Sequence, residues 1–369
     1  MANLHLAVAL DGAGWHPAAW RLPEARPQDL FTARYWADQV AEAEAGKLDF
    51  VTIEDALGVQ TDNPAEVQGR LDAVLIAARV APLTHHIGLV PTATVTHTEP
   101  FHISKAIATL DHVSKGRAGW RVQVSTRPQE ASHFGRRLVD IETPEAIQDL
   151  FDEAADFVEA VRRLWDSWED DAEIRDAETG RFIDRDKVHY VNFEGRFFTV
   201  KGPSITPRPP QGQPLVTALG HAEIPYRFAS RSADVAYVTP TDADNARQIL
   251  GQIDLKHVFG DLVVFLEPTE QAAREVREQL GDFETDATVF AGTPAQLADL
   301  LLDWRTAGLT GFRLRPARVP ADLRGITRGL VPELQSRGVF RTEYEASTLR
   351  GLLGLDRPAN RYAEGARVA

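Results

Sequence analysis

The chain has 369 residues, a formal net charge of -14 and no cysteine. Acids and bases are interspersed rather than blocked, which argues against nucleic acid or an anionic membrane surface as the main partner. The absence of cysteine excludes disulfides, zinc–thiolate sites and a cysteine nucleophile.

No stretch reaches the roughly 18 apolar residues of a spanning helix, and MANLHLAVALDG lacks a basic leader with a long apolar core. A cytoplasmic protein is expected. In chain order, short apolar runs fall at His5–Leu10, 50–54, 87–91, 118–124, Leu215–Leu219, Val235–Val238, 262–266 and 311–314. Amphipathic segments lie between them. FTARYWADQVAEAEAG closes on Gly46, and VQGRLDAVLIAARVAP stops before Pro82, as helix ends do. Eight alternating β and α units predict a single (β/α)8 barrel domain over 1–369, with a doubly wound open sheet as the competing arrangement. The charged, turn-rich run 166–201 breaks the alternation. It is too long for an ordinary connection, so it reads as an insertion that shapes access to a site or makes an oligomer contact.

In a (β/α)8 barrel the chemistry lies at the C-terminal ends of the strands. Strand two ends in Glu54-Asp55, and strand three runs on through Thr94, Thr96 and His97. In strand four, GWRVQVST, alternation puts Trp120, Val122 and Val124 on one face and Arg121, Gln123 and Ser125 on the other. With the apolar set packed on helices, Arg121 points into the lumen. A buried guanidinium needs a carboxylate such as Glu54 or Asp55, or an anionic ligand. The competing reading is a structural ion pair. His85-His86 precedes strand three, at the wrong end for catalysis, and no metal site is expected. His133, with Arg136 and Arg137, reads either as part of a loop closing over the pocket or as a solvated basic turn. Trp15 and Trp20 read as pocket wall or loop anchors.

The run TLDHVSKGRAGWRVQVS, together with TATVTHTEPFH, LWDSWEDDAEIRDAETGRF, PRPPQGQP and VPELQSRGVFRTEYEASTLRGLLGL, resembles the bacterial luciferase-like flavin monooxygenases. The likeness is to the branch holding nitrilotriacetate and long-chain alkane monooxygenases. It spans nearly the whole chain. It implies a (β/α)8 barrel, a homodimer or homotetramer, reduced FMN supplied by a separate flavin reductase, and molecular oxygen acting with a small organic substrate. It further implies a flavin-ring site at Asp55, Thr94, Thr96, Arg121 and Ser125, with His97, Arg121 and Thr126 at catalytic positions. Three of these depart from the family pattern: His97 stands where tyrosine is common, Arg121 replaces asparagine, and Thr126 stands where some members carry histidine.

The departure is larger where the resemblance places the flavin phosphate. The family's alanine, glycine, any residue, serine, glutamate, any residue, glycine, arginine aligns with Leu219, Gly220, His221, Ala222, Glu223, Ile224, Pro225 and Tyr226. Serine, the second glycine and arginine are all absent, and a family tyrosine aligns with Phe151. Three readings follow from this loss. FMN still binds, through Gly220, the amides near Ala222 and His221 as a replacement cation. Alternatively the ligand is another flavin or a deazaflavin of the F420 type, or the barrel is a non-catalytic partner subunit or paralogue.

Overall fold

A computed structural model describes residues 4–135, 137 and 143–363. Eight parallel strands close on themselves: His5–Leu10, Phe50–Ile53, Gly88–Thr94, Gly119–Gln123, Leu215–Leu219, Val235–Val238, His257–Leu266 and Gly311–Pro316. They are called strands one to eight below. Closure comes from pairing of strand six with strand seven, and of strand eight with strands seven and one. Every run expected from the sequence is a barrel strand, and the open-sheet alternative is excluded.

A period of two along each strand divides the molecule into shells. Strand one turns Leu6, Val8 and Leu10 outward into the helix-facing core and leaves Ala7 in a separate cluster inside the barrel. The outer helices meet that core through faces such as Tyr35, Trp36, Val40 and Ala43 of helix Ala33–Ala45, which is capped by Thr32. Inside, the lower lumen holds Ala7, Phe50, Val90, Leu215, Tyr237 and Phe259. Leu349 and Leu353, around the short helix Leu349–Leu352, pack against that set and plug the N-terminal end.

Two features were not legible beforehand. A ninth strand, Thr288–Gly292, pairs in parallel with the C-terminal half of strand seven outside the closed ring. It explains why strand seven runs to ten residues. The other is the position of 166–201. Helix Pro144–Asp166 returns the chain to the N-terminal end of the barrel, where the insertion forms two small hairpins, Glu173–Asp176 with Arg181–Ile183 and Phe193–Glu194 with Thr199–Val200. Asn360 Nδ2 donates to the carbonyls of Asp166 and Trp168, and His189 stacks on Tyr362 at 4.4 Å. The insertion therefore shares the plugged end with the C-terminal segment. It does not shape access at the opposite end, contrary to the expectation, because a helix antiparallel to the strands delivers it there.

Candidate active site

Above the apolar floor the lumen becomes charged. Arg121 Nη1 donates to Glu54 Oε2 at 2.7 Å and to Thr92 Oγ1 at 3.1 Å, so strand phase aims this guanidinium inward as alternation predicts. Trp120, its outward neighbour, packs on Phe157 of helix Pro144–Asp166. Glu54 also accepts from Arg313 Nη1 at 3.2 Å. Arg313 and Arg315 of strand eight both donate to Asp261 of strand seven, and Arg315 reaches on to Asp286. Arg313 lies over the Tyr237 ring at 4.1 Å, and Arg315 over Trp15 at 4.4 Å. Arg121, Arg313 and Arg315 are thus opposed by Glu54, Asp261 and Asp286.

Burial shapes the titration of this layer. It would raise both Glu54 and Asp261, yet the facing guanidinium groups outweigh it and hold both carboxyls below their ordinary values. Arg121 is pushed down by burial, with Glu54 opposing the shift. Both partners stay charged, and the layer is a set of mutually compensating ions rather than a lone acid or base. Of this network the sequence reading found Arg121 and Glu54 and missed Asp261, Arg313 and Arg315. The signal was present: GFRLRP alternates charge with apolar residues just as GWRVQ does.

The other expected site residues fall into three groups. At the ends of strands three and four, Thr94 Oγ1 donates to Gln123 Oε1 at 3.1 Å, and the Ser125 amide donates to Thr96 Oγ1 at 3.0 Å. Ser125 Oγ donates to Glu130, a buried carboxylate that the sequence reading did not single out. His97 is buried in this group, with a left-handed φ of 71°, and stacks on Phe134 at 5.5 Å. Thr126 follows Ser125, half-buried. His133 is exposed and Arg137 pairs with Glu153, while Arg136 lies outside the described residues.

Asp55 stands apart from that group. Its carboxylate accepts from the amides of Ala56 and Ala73, both at 2.8 Å, and so ties down the start of helix Ala73–Val80. Burial raises its pKa, and the two amide donors only partly offset this.

The third group follows strand five. The Gly220 amide donates to Tyr237 O at 3.0 Å, which takes it out of use for a ligand. A Cβ on Gly220 would stand 2.8 Å from Tyr226 Cδ1, so the Tyr226 ring lies directly on the glycine. His221 is hydrogen-bonded with Thr239 Oγ1 at 3.1 Å and paired with Asp286 at 3.1 Å. Helix Glu223–Ser232 has Ala222 as its N-cap with no side-chain cap, a carboxylate at its first position, and Pro225, which has no N–H, at its third. Phe151 contacts Phe228 at 5.6 Å.

Over the strand ends opens a cavity of about 710 Å³, bounded by the loop Asp11 to Pro17, by Gln60, Thr61, Glu66 and Val67, by Arg127, and by Asp282, Phe283 and Glu284. Trp15 lines it and is fixed by its indole N–H donating to Ala9 O at 2.8 Å. Trp20 instead anchors its loop by donating to Ala65 O. Among the described residues no group of three or more His, Asp or Glu side chains is arranged to hold a metal ion, and no helix is long and apolar enough to cross a membrane.

A closed eight-strand parallel barrel with a polar site at its C-terminal mouth defines a (β/α)8 enzyme scaffold. Within that class, the family described as luciferase-like monooxygenase matches residues 13–257, and the chain belongs to it. It is 31% identical to N-acetyl-S-(2-succino)cysteine monooxygenase of Bacillus subtilis (strain 168), over 98% of this chain and 99% of the other. It is 32% identical to nitrilotriacetate monooxygenase component A of Aminobacter aminovorans, over 98% of both. The structure of a long-chain alkane monooxygenase superposes with a TM-score of 0.86 at 23% identity, covering 96% of each chain.

Set against FMN, the cofactor implied by the resemblance, the residues after strand five do not fit its phosphate. A phosphate at a helix start needs open amides and compatible charge. Here the glycine amide is used, one helix amide is missing at Pro225, the candidate cation His221 is committed to Asp286, and Glu223 adds negative charge.

Proposed function

We propose that this chain is the oxygenating component of a two-component monooxygenase, accepting reduced flavin from a separate reductase and acting with molecular oxygen on a small organic substrate. The observation that carries the reading is the roomy cavity at the strand ends of a barrel whose relatives along its full length are monooxygenases. Nitrilotriacetate monooxygenase component A carries a component letter in its name, which supports a partner reductase here. Trp15 and Phe283 give the cavity aromatic walls, and Trp15 in turn packs on Arg315 of the ion-pair layer. Assembly as a homodimer or homotetramer belongs to the same proposal.

A second reading, the non-catalytic barrel or partner subunit, draws on one observation: Arg121, Arg313 and Arg315 are each paired with one of the protein's own carboxylates. Anaerobic ultrafiltration of the protein with photoreduced flavin separates the two. The monooxygenase reading expects reduced flavin to be retained with the protein in a saturable way. Full passage of reduced flavin through the membrane at every protein concentration would favour the partner subunit.

A further inference from the structure

The misfit after strand five extends to the described residues at the mouth of the barrel. A phosphate dianion could be held elsewhere if another helix offered open amides. Among the described helices of eight or more residues, six already have one first-turn amide engaged by the N-cap side chain: Thr32, Asp72, Thr143, Asp242, Thr269 and Thr293. The two without a side-chain cap are Pro100–Val113 and Glu223–Ser232. Each pairs a proline in its first turn with an acid, Glu99 as N-cap in one and Glu223 at the first position in the other.

Cations are no better placed to receive such a group. Arg70 faces Asp11, Arg315 is spent on Asp261 and Asp286, and Arg127 stands beside Glu130. The cavity wall itself carries Asp11, Glu66, Asp282 and Glu284 against Arg127. Like charge in a cleft repels an anionic ligand over several ångströms.

Resting on the flavin reading above, we infer that this barrel recognises the uncharged part of its flavin and makes no use of a terminal phosphate, so that FMN binds no more tightly than riboflavin. The acidic mouth and the absence of an open anion cradle among the described residues have the same consequence: adding a phosphate to the ligand gains nothing.

The experiment is a set of titrations of the full chain with riboflavin and with FMN, each oxidised and each photoreduced under anaerobic conditions, at low and high salt. An FMN affinity at most about threefold above that of riboflavin is expected, because a used phosphate contact is worth about 1.5–3 kcal/mol and so tenfold or more. FMN binding should not weaken as salt rises, since no favourable phosphate contact is there to be screened. Glu223→Gln, at an exposed side chain, should tighten FMN severalfold and leave riboflavin unchanged. Combining it with Pro225→Ala and Tyr226→Arg should widen that gain, and the single variant still decides the matter if the triple variant misfolds. A natural protein that prefers FMN tenfold or more overturns this inference and leaves the flavin reading intact. Retention of neither flavin in either redox state overturns both, and an unchanged FMN affinity in well-folded Glu223→Gln overturns the placement after strand five.

Discussion

The lower and upper halves of the barrel lumen are built from the same eight strands and solve opposite problems. Below, Phe50, Tyr237, Phe259 and their neighbours fill the space with apolar rings, and Leu349 and Leu353 seal it from outside. Above, the same alternation delivers Glu54, Arg121, Asp261 and Arg313, whose side chains are at most 8% exposed. An apolar floor is the simple route to stability. Fixed charges further along strands two, four, seven and eight cost desolvation that hydrophobic residues would not. A smaller buried cluster, His5 and Arg341 on Asp49, lies at the N-terminal end as well, so it is the cavity over the strand ends that marks the upper half as the functional end.

This contrast can be broken at specific residues, and the largest effect is expected at Asp261. It serves both Arg313 and Arg315, so Asp261→Ala leaves two guanidinium groups in the lumen with reduced compensation. A loss of about 3–5 kcal/mol in denaturant unfolding is expected, as for removal of one partner of a buried ion pair. An unchanged midpoint would mean the layer is hydrated and weak. Arg121→Ala should cost less, about 3 kcal/mol, because Glu54 keeps Arg313. In the floor, Leu353→Ala should cost about 2–4 kcal/mol through cavity formation, and it should leave ligand binding at the mouth untouched.

A smaller effect is expected from pH. His257, buried at the floor beside His5, is pushed down to about 4 by burial, with the charges of His5 and Lys256 adding to the shift. Its folded pKa lies below the ordinary histidine value of about 6.5, so the unfolded chain binds the extra proton between those two values. Stability should therefore be complete above about pH 6.5 and fall by about 2–3 kcal/mol as pH drops toward 4. His257→Phe should remove that slope. The lowered carboxyls Glu54 and Asp261 act further down: their contribution is present above about pH 4 and is lost as pH falls through their folded values. The smallest effect belongs to the exposed pair Arg247 and Asp244, where Arg247→Ala should change stability by less than about 0.5 kcal/mol.

Much of the barrel was legible because its signals are local. Strand runs, helix stops and the inward phase of Arg121 all follow from periods of two and 3.6 within short windows. The ninth strand was missed because TVFAG is brief and pairs with the far half of a strand already assigned. The insertion was misplaced because its location depends on where a 23-residue helix delivers it, which no window of sequence contains. At the site, Glu54 with Arg121 could be anticipated from burial alone. The tie from Asp55 to Ala73, the Glu130 carboxylate under Ser125, and Asp286 holding both Arg315 and His221 join residues from 5 to 65 positions apart and become visible only in three dimensions.

We propose that this luciferase-like barrel handles reduced flavin at a mouth whose described residues offer no phosphate cradle. The most direct measurement is the stopped-flow rate at which reduced flavin reoxidises in aerated buffer, followed against rising protein concentration for riboflavin and for FMN. The account predicts that the protein changes the rate saturably for both flavins, with the FMN half-effect at a protein concentration no more than about threefold below that for riboflavin, since a used phosphate contact would lower it by tenfold or more. Rates that match free flavin at every protein concentration, for both flavins, would contradict it.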